Sequence, residues 1–198
     1  MAVTPAVQEF LRRSNVAYTA FPHSPAFTAA DEAAATRTPG VRWAKTIACI
    51  ADGRPILAVV PAHFMVDLAR LAKIADAATV RLAYEQELPS LFPECELGAM
   101  PPLGPLYHQR VYLESTLALE PVMAFHAGTH RDAIRMHVDD FIDVAGPIMG
   151  RFGRPIAQDG AAGRAVLKEP RPRRARPPRL RTSRAIWPRF VQGTRTLR

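Results

Sequence analysis

The sequence has few cysteines and no long apolar run. Cys49 and Cys95 are its two cysteines, and they form neither a CxxC motif nor a paired spacing. We therefore expect reduced thiols in a cytoplasmic protein rather than a disulfide scaffold. The sequence contains no stretch of eighteen apolar residues, so we expect no transmembrane helix and no membrane partner. The N-terminus lacks a basic segment followed by an apolar one, so we expect no secretory signal.

The usual motifs of metal-dependent and covalent hydrolases are also missing. The six histidines do not form an HExxH motif or a cluster with cysteine. His126 and His130 are four residues apart, but they flank a predicted turn rather than share a helix face. No GxSxG nucleophile elbow is present. The sequence thus predicts a protein without a metal ion, without another cofactor and without a nucleophilic side chain.

Positive charge is abundant, but it is concentrated near the C-terminus. The net charge of the chain is +8. Residues 151–198 hold 14 of the 26 basic and 2 of the 18 acidic residues, which leaves residues 1–150 with a net charge of −4. Arginine and proline dominate this tail, which has no apolar periodicity. We expect a folded domain over 1–149 and a disordered basic tail over 150–198, which either contacts RNA phosphates or is a variable extension.

Residues 1–147 alternate between predicted helices and strands. Asp52-Gly53 lies between two β-rich runs and predicts a hairpin. Helices are predicted over 5–13, 66–74 and 84–91. Two more are predicted to begin at residue 28, where Thr28 would be the cap, and at Asp139. Strands are predicted over 18–21, 79–83, 110–114, 122–126 and 133–138, with a turn at 127–130. The pattern predicts an α/β (α+β) fold: a single domain with a mixed, mostly antiparallel sheet and flanking helices.

Three features carry candidate chemistry. Lys45 shares one strand face with Ile47 and Cys49, so its ammonium group either reaches solvent or enters a pocket, where it would hold a phosphate or polarise an ester carbonyl. The loop over 98–104 is stiffened by prolines and is either a structural turn or a set of backbone donors for an oxyanion. The turn at 127–130 offers Thr129 and His130 to a ligand, or is a plain hairpin turn.

Taken together, these segments resemble the YbaK-like family of aminoacyl-tRNA deacylases, which includes the free-standing relatives of the prolyl-tRNA synthetase editing domain. The resemblance spans roughly residues 4–147 and keeps one order and spacing throughout. The matching segments are PAFTAADEAA at 25–34, AKTIACI at 44–50, LAVVPAHFMVDLARLAKI at 57–74, LGAMPPLG at 97–104, VYLESTLAL at 111–119 and FHAGTHRDAIRMHVDDFIDVAGP at 125–147.

The resemblance implies a trans-editing hydrolase that removes a small amino acid from the 3′ end of a mischarged tRNA. Lys45 would anchor the substrate, and the GxxxP loop that begins at Gly98 would fix the ester carbonyl. Water or the substrate's own groups would then attack the ester. The other residues implied in substrate binding are Phe27, Thr28, Thr46, Met100, Pro102, Gly128, Thr129 and His130, of which Phe27, Thr28 and Met100 would shape the pocket.

Two alternatives stay open. One is a non-catalytic module that binds tRNA through the basic tail, and the other is a structural partner of an aminoacyl-tRNA synthetase. The amino acid is open among alanine, cysteine, serine, threonine and similar small residues, since Thr46 stands where the alanine-specific branch usually has asparagine. The oligomeric state does not follow from the sequence.

Overall fold

The computed structural model describes residues 3–24 and 29–156. Ten strands form a five-stranded sheet, a three-stranded sheet and a two-stranded ribbon. The helices are α1 (Pro5–Arg13), α2 (Ala29–Ala35), α3 (Leu68–Ala75), α4 (Leu88–Leu91) and α5 (Val138–Ala145). The strands are β1 (Tyr18–Pro22), β2 (Ala44–Ala51), β3 (Arg54–Pro61), β4 (Phe64–Val66), β5 (Val80–Leu82), β6 (Arg110–Glu114), β7 (Val122–Thr129), β8 (Asp132–His137), β9 (Ile148–Gly150) and β10 (Gly153–Pro155).

The five-stranded sheet is built on the predicted hairpin. Strands β2 and β3 pair antiparallel, and the turn between them has positive φ at both Asp52 (46°) and Gly53 (78°), which is the type I′ geometry that suits two-residue hairpins. The strand order is β5-β2-β3-β6-β9, in which β5 is antiparallel to β2 whereas β6 and β9 add parallel to β3. Helices flank the sheets, so the predicted fold with a mixed, mostly antiparallel sheet is confirmed.

The three-stranded sheet has the order β1-β8-β7 and is antiparallel throughout. It meets the larger sheet at Trp43, which forms an isolated parallel bridge with Ala124 of β7. The main core lies between the two sheets, where Val7 and Leu11 of α1 and Phe141 of α5 are fully buried. A second core lies on the other face of the five-stranded sheet under α3 and is centred on Leu71 and Tyr112.

The helix predicted over 66–74 begins later than expected. Asp67 caps α3 by accepting a hydrogen bond from the backbone N–H of Arg70, so the first helical residue is Leu68. Val66 belongs instead to β4, where it pairs with Gly153 of β10. The apolar spacing of 66–74 is genuine, but a single cap residue decides where the helix begins.

The turn predicted at 127–130 is also displaced. Strand β7 runs to Thr129, with a register shift between His126 and Thr129, and the turn residues are His130 and Arg131. Gly128, whose φ is +98°, therefore lies in a β-bulge of β7 and not in the turn itself.

Ordered structure continues past the domain boundary predicted at residue 149. Phe152 is fully buried, and the carboxylate of Glu114 accepts hydrogen bonds from the backbone N–H groups of Phe152 and Gly153. Residues from 157 onward lie outside the described part, so the basic tail stays a prediction.

Within the described residues, no helix is long and apolar enough to span a membrane. Both cysteines are free thiols, as expected. Burial raises the pKa of the Cys49 thiol to about 12.

Candidate functional site

Lys45 is held in place by the turn between β3 and β4. Its ammonium nitrogen donates to the carbonyl oxygen of Phe64 at 2.7 Å and to that of Ala62 at 3.5 Å. An ammonium group has three N–H donors, so one donor remains for another partner. Partial burial lowers the pKa of Lys45. The side chain is therefore fixed by the backbone, with a positive charge that is less well hydrated than that of a surface lysine.

The loop at Gly98 presents a weakly bound backbone donor. Gly98 has φ +91°, and its N–H donates to the thioether sulfur of Met100 at 3.2 Å. A thioether is a weak acceptor, so a carbonyl oxygen or an oxyanion would replace it readily. Pro101 and Pro102 follow without N–H groups of their own and are buried. The loop thus combines one available donor with a stiff backbone.

Four hydrogen bonds join this loop to the end of β7. Glu96 N donates to Gly128 O at 2.9 Å, and Gly128 N donates to Ala99 O at 3.1 Å. His130 N donates to the Glu96 carboxylate at 2.7 Å, and His130 Nε2 donates to Leu97 O at 2.8 Å. These bonds bring together five of the predicted site residues: Gly98, Met100, Gly128, Thr129 and His130.

Gly128 and Thr129 have clear structural tasks in this arrangement. A Cβ atom on Gly128 would lie 2.6 Å from Cγ2 of Thr4, so glycine lets the start of α1 approach β7. The Thr129 hydroxyl donates to the Asp132 carboxylate at 2.9 Å and accepts from the Asp132 N–H, which closes the turn. The substrate contacts predicted for both residues stay predictions.

A cluster of rings extends from His130 into the protein. The ring centroids of His130 and His126 are 5.5 Å apart, and those of His126 and Trp43 are also 5.5 Å apart. His23 completes the cluster at 5.8 Å from His126 and 6.0 Å from Trp43. Trp43 is fully buried and bridges β7, so the cluster joins the start of β2 to the loop at Gly98.

The remaining predicted site residues lie apart from the loop network. Thr46 follows Lys45 on β2 with a buried hydroxyl that has no hydrogen-bond partner among the described residues. Trp43, two residues before Lys45 in the chain, contacts the ring of His126, which contacts that of His130. Phe27 and Thr28 lie outside the described residues.

Sequence reasoning missed Glu96, Trp43, His23 and His126 as parts of this region. Glu96 stands 34 residues before its partner His130, so no local pattern reveals the bond. The four-residue spacing of His126 and His130 was a usable signal, because a bulged strand end brings both rings onto one side.

The described residues include no group of three or more His, Cys, Asp or Glu side chains that could hold a metal ion. One cavity of about 630 Å³ lies beside the turn that holds Lys45 and is lined in part by Gly40, Ala62 and His63. A second of about 530 Å³ lies at the opposite end of the β2–β3 hairpin and is lined in part by Arg54 and Arg110.

Comparison with known proteins identifies the family of the chain. Residues 23–144 match the model of the aminoacyl-tRNA editing domain family. No curated protein matches the sequence.

Several solved structures share the fold. One, "hypothetical protein APE2540", has a TM-score of 0.69 at 16% identity and covers 75% of this chain and 99% of its own. Another, described as "a putative trans-editing enzyme for prolyl tRNA synthetase", has a TM-score of 0.66 at 19% identity. The match covers 76% of this chain and 98% of that protein. A third, "a Putative signal transduction protein" from Marinobacter aquaeolei VT8, has a TM-score of 0.60 at 15% identity. The match covers 76% of this chain and 30% of that protein.

Proposed function

Because the chain belongs to the aminoacyl-tRNA editing domain family, we propose that it is a trans-editing hydrolase. Its substrate is a mischarged tRNA in the cytoplasm, and it cleaves the ester between a small amino acid and the 3′ end of that tRNA. The observation that carries the proposal is the loop network. Four hydrogen bonds of residues next to Gly98 join its loop to the end of β7, and among the described residues the Gly98 N–H is bonded only to the Met100 sulfur.

The proposed chemistry needs no protein nucleophile. An aminoacyl ester is already reactive, so holding it in one orientation and stabilising the developing negative charge are sufficient to accelerate its hydrolysis. The Gly98 N–H would donate to the carbonyl oxygen in place of the Met100 sulfur. Water would attack the carbonyl carbon, and the proton that it loses would leave on the tRNA hydroxyl as the ester bond breaks. If a hydroxyl group of the substrate attacks first, it forms a new ester, which water then hydrolyses in a second step.

Lys45 would anchor the substrate from the other side. Two of its N–H donors are used by the carbonyl oxygens of Ala62 and Phe64, which leaves one for the substrate. A phosphate or carbonyl oxygen would be its partner. Since the side chain is partly desolvated, this bond is stronger than the same bond on an exposed surface.

Amino acid choice would depend on pocket size. Met100, Phe27 and Thr28 would form walls that admit small side chains, and Thr46, Pro102, Gly128, Thr129 and His130 would complete the binding surface. Met100 is 6% exposed and belongs to the main core, so it would form the inner wall of the pocket.

A second candidate function is tRNA binding without hydrolysis, alone or beside a synthetase. The concentration of arginine in residues 151–198 favours it, because such segments bind phosphates with little sequence preference. It predicts tRNA affinity that falls steeply with salt and is lost on truncation after residue 156.

The test is a deacylation panel with tRNAs charged with alanine, cysteine, serine, threonine and proline. The proposal predicts hydrolysis of at least one small-residue tRNA by the full chain and by the chain truncated after residue 156. Binding of tRNA by the full chain with no hydrolysis of any member would favour the second candidate.

A further inference from the structure

The ring cluster contains two buried polar atoms that have no hydrogen-bond partner in the described part of the chain. Trp43 is 0% exposed, and its indole N–H has no hydrogen-bond acceptor among the described residues. Nε2 of His23 is also buried and has no partner there. A buried donor without an acceptor lowers the stability of the fold, so such atoms call for an explanation.

The two atoms have complementary roles. The indole nitrogen is a donor only. Nδ1 of His23 lies 2.8 Å from the carbonyl oxygen of Ser24, so Nδ1 carries the proton and donates. In the neutral ring, Nε2 is then an acceptor. The cluster therefore contains one donor and one acceptor, on two neighbouring rings.

We propose that Trp43 and His23 bind a hydroxyl group at the aminoacyl end of the substrate. The indole N–H donates to the hydroxyl oxygen, and His23 Nε2 accepts the hydroxyl proton. A hydroxyl is both donor and acceptor, so it satisfies both atoms at once. The ring centroids are 6.0 Å apart and the ring planes are nearly perpendicular, so the two rings are direct neighbours. This inference rests on the proposed function.

The pair lies close enough to the Gly98 loop to act on the same substrate. His126 contacts both rings and also contacts His130, so the His23 and His130 centroids are at most about 11 Å apart. The Cβ position of Gly98 is 3.3 Å from Cε1 of His130. An ester carbonyl and a neighbouring hydroxyl, with a hydrogen bond of about 3 Å at each end, fit this span.

The backbone holds both members of the pair firmly. His23 N donates to Arg131 O at 2.9 Å, beside the turn of the loop network. Trp43 O accepts from Ala62 N at 2.8 Å, next to one of the carbonyl groups that hold Lys45. Trp43 thus lies between the turn that holds Lys45 and the ring of His126.

Two hydroxyl groups of an aminoacyl-tRNA have this chemistry. One is the free hydroxyl of the terminal ribose, next to the ester. The other is the side-chain hydroxyl of serine or threonine. The first would position every substrate equally, whereas the second would select hydroxylated amino acids from the small ones.

The test is calorimetric binding of non-hydrolysable amide analogues of aminoacyl-adenosine. The three probes are an alanyl amide, a seryl amide, and an alanyl amide without the 2′-hydroxyl. The proteins are the wild type, Trp43→Phe, His23→Phe and the control His137→Phe. His137 is an exposed histidine that also donates through Nδ1 to a backbone carbonyl, that of Pro121.

We expect Trp43→Phe and His23→Phe to weaken binding roughly three- to thirtyfold and the control to leave it unchanged. A loss on both probes that carry the 2′-hydroxyl, with none on the 2′-deoxy probe, identifies the ribose hydroxyl. A loss confined to the seryl probe identifies the side-chain hydroxyl. If Trp43→Phe does not fold, as judged by circular dichroism, His23→Phe decides alone, since this ring is partly exposed.

Wild-type affinity in both ring variants for all probes overturns the inference. So does a wild type that binds none of the probes, whatever the deacylation panel shows. Binding by the wild type that depends on Trp43 and His23, with no hydrolysis of any charged tRNA, supports the inference and contradicts the hydrolase proposal.

Discussion

The backbone N–H of His130 donates to the carboxylate of Glu96 at 2.7 Å, across 34 residues of sequence. The backbone N–H of Glu96 donates to Gly128 O, and the backbone carbonyl oxygen of Glu96 accepts from Ala99 N. One residue therefore ties the turn after β7 to the loop that contains Gly98. Charge-assisted bonds of this kind are stronger than neutral ones.

Replacing Glu96 with glutamine should loosen this link. The amide retains an acceptor oxygen but loses the charge, so we expect about 1 kcal/mol less stability and a roughly three- to tenfold lower deacylation rate. Thermal unfolding and initial rates measure the two effects. Glu85→Gln is the matched control, because Glu85 is an exposed residue of a short 3-10 helix. Equal rates in both variants would show that the Glu96 carboxylate does not position the loop.

Gly98→Ala tests the geometry of the loop. The new Cβ would lie 3.3 Å from Cε1 of His130, and alanine at φ +91° costs about 1–2 kcal/mol. We expect a deacylation rate reduced at least about tenfold, since a misplaced donor costs more than its bond energy.

Gly53→Ala provides the control for backbone strain. Gly53 also has positive φ, +78°, but its Cβ position has no neighbour within 4 Å. This variant should lose similar stability without losing activity. If both variants lose the same fraction of activity, the effect of Gly98→Ala is general destabilisation.

Gly128→Ala should destabilise the contact between α1 and β7. The Cβ would lie 2.6 Å from Cγ2 of Thr4, and the φ of +98° adds strain, so we expect a loss of about 2–4 kcal/mol. Thr4→Ser removes the clashing methyl group. The double variant should recover part of the loss in chemical denaturation. No recovery would mean that backbone strain alone is responsible.

The rate should depend on pH through Lys45. Burial lowers the pKa of this lysine, so its positive charge is lost at a lower pH than that of an exposed lysine. After subtraction of uncatalysed hydrolysis, we expect an alkaline decline in rate that Lys45→Arg removes, because arginine stays charged. An unchanged alkaline decline in Lys45→Arg would assign the titration to another group.

The same pKa shift should affect stability. The folded state binds this proton less tightly than the unfolded chain does. Relative to Lys45→Met, the wild type should therefore gain stability as pH rises from the folded to the unfolded pKa of Lys45. Denaturant unfolding across that range measures the difference.

Local patterns in the sequence predict most of the fold. Asp52-Gly53 identifies the hairpin because positive φ at two successive positions restricts the residues allowed there. Thr4-Pro5 identifies the start of α1, since proline at the first helical position has a suitable φ. These features depend on neighbours in the chain, and such neighbours are visible in the sequence.

The parts that the sequence could not predict depend on distant contacts. The cap by Asp67 competes with an apolar repeat that extends through Val66, and pairing of Val66 with Gly153 favours the cap. Trp43 looks like an ordinary apolar residue until its bridge to Ala124 is known. Lys45 and Gly98 were identified by resemblance, whereas Glu96 and Trp43, which hold their surroundings, needed the three-dimensional arrangement.

The most direct test of the account is the single-turnover rate of Lys45→Met on the most rapidly hydrolysed tRNA of the panel. Methionine keeps much of the apolar stem and removes the charge. Lys73→Met is the control, since Lys73 is an exposed lysine in the last turn of α3. We predict a rate lowered by tenfold or more, on the order of one lost transition-state contact, in Lys45→Met and a wild-type rate in Lys73→Met. Folded Lys45→Met that deacylates at the wild-type rate would contradict the account.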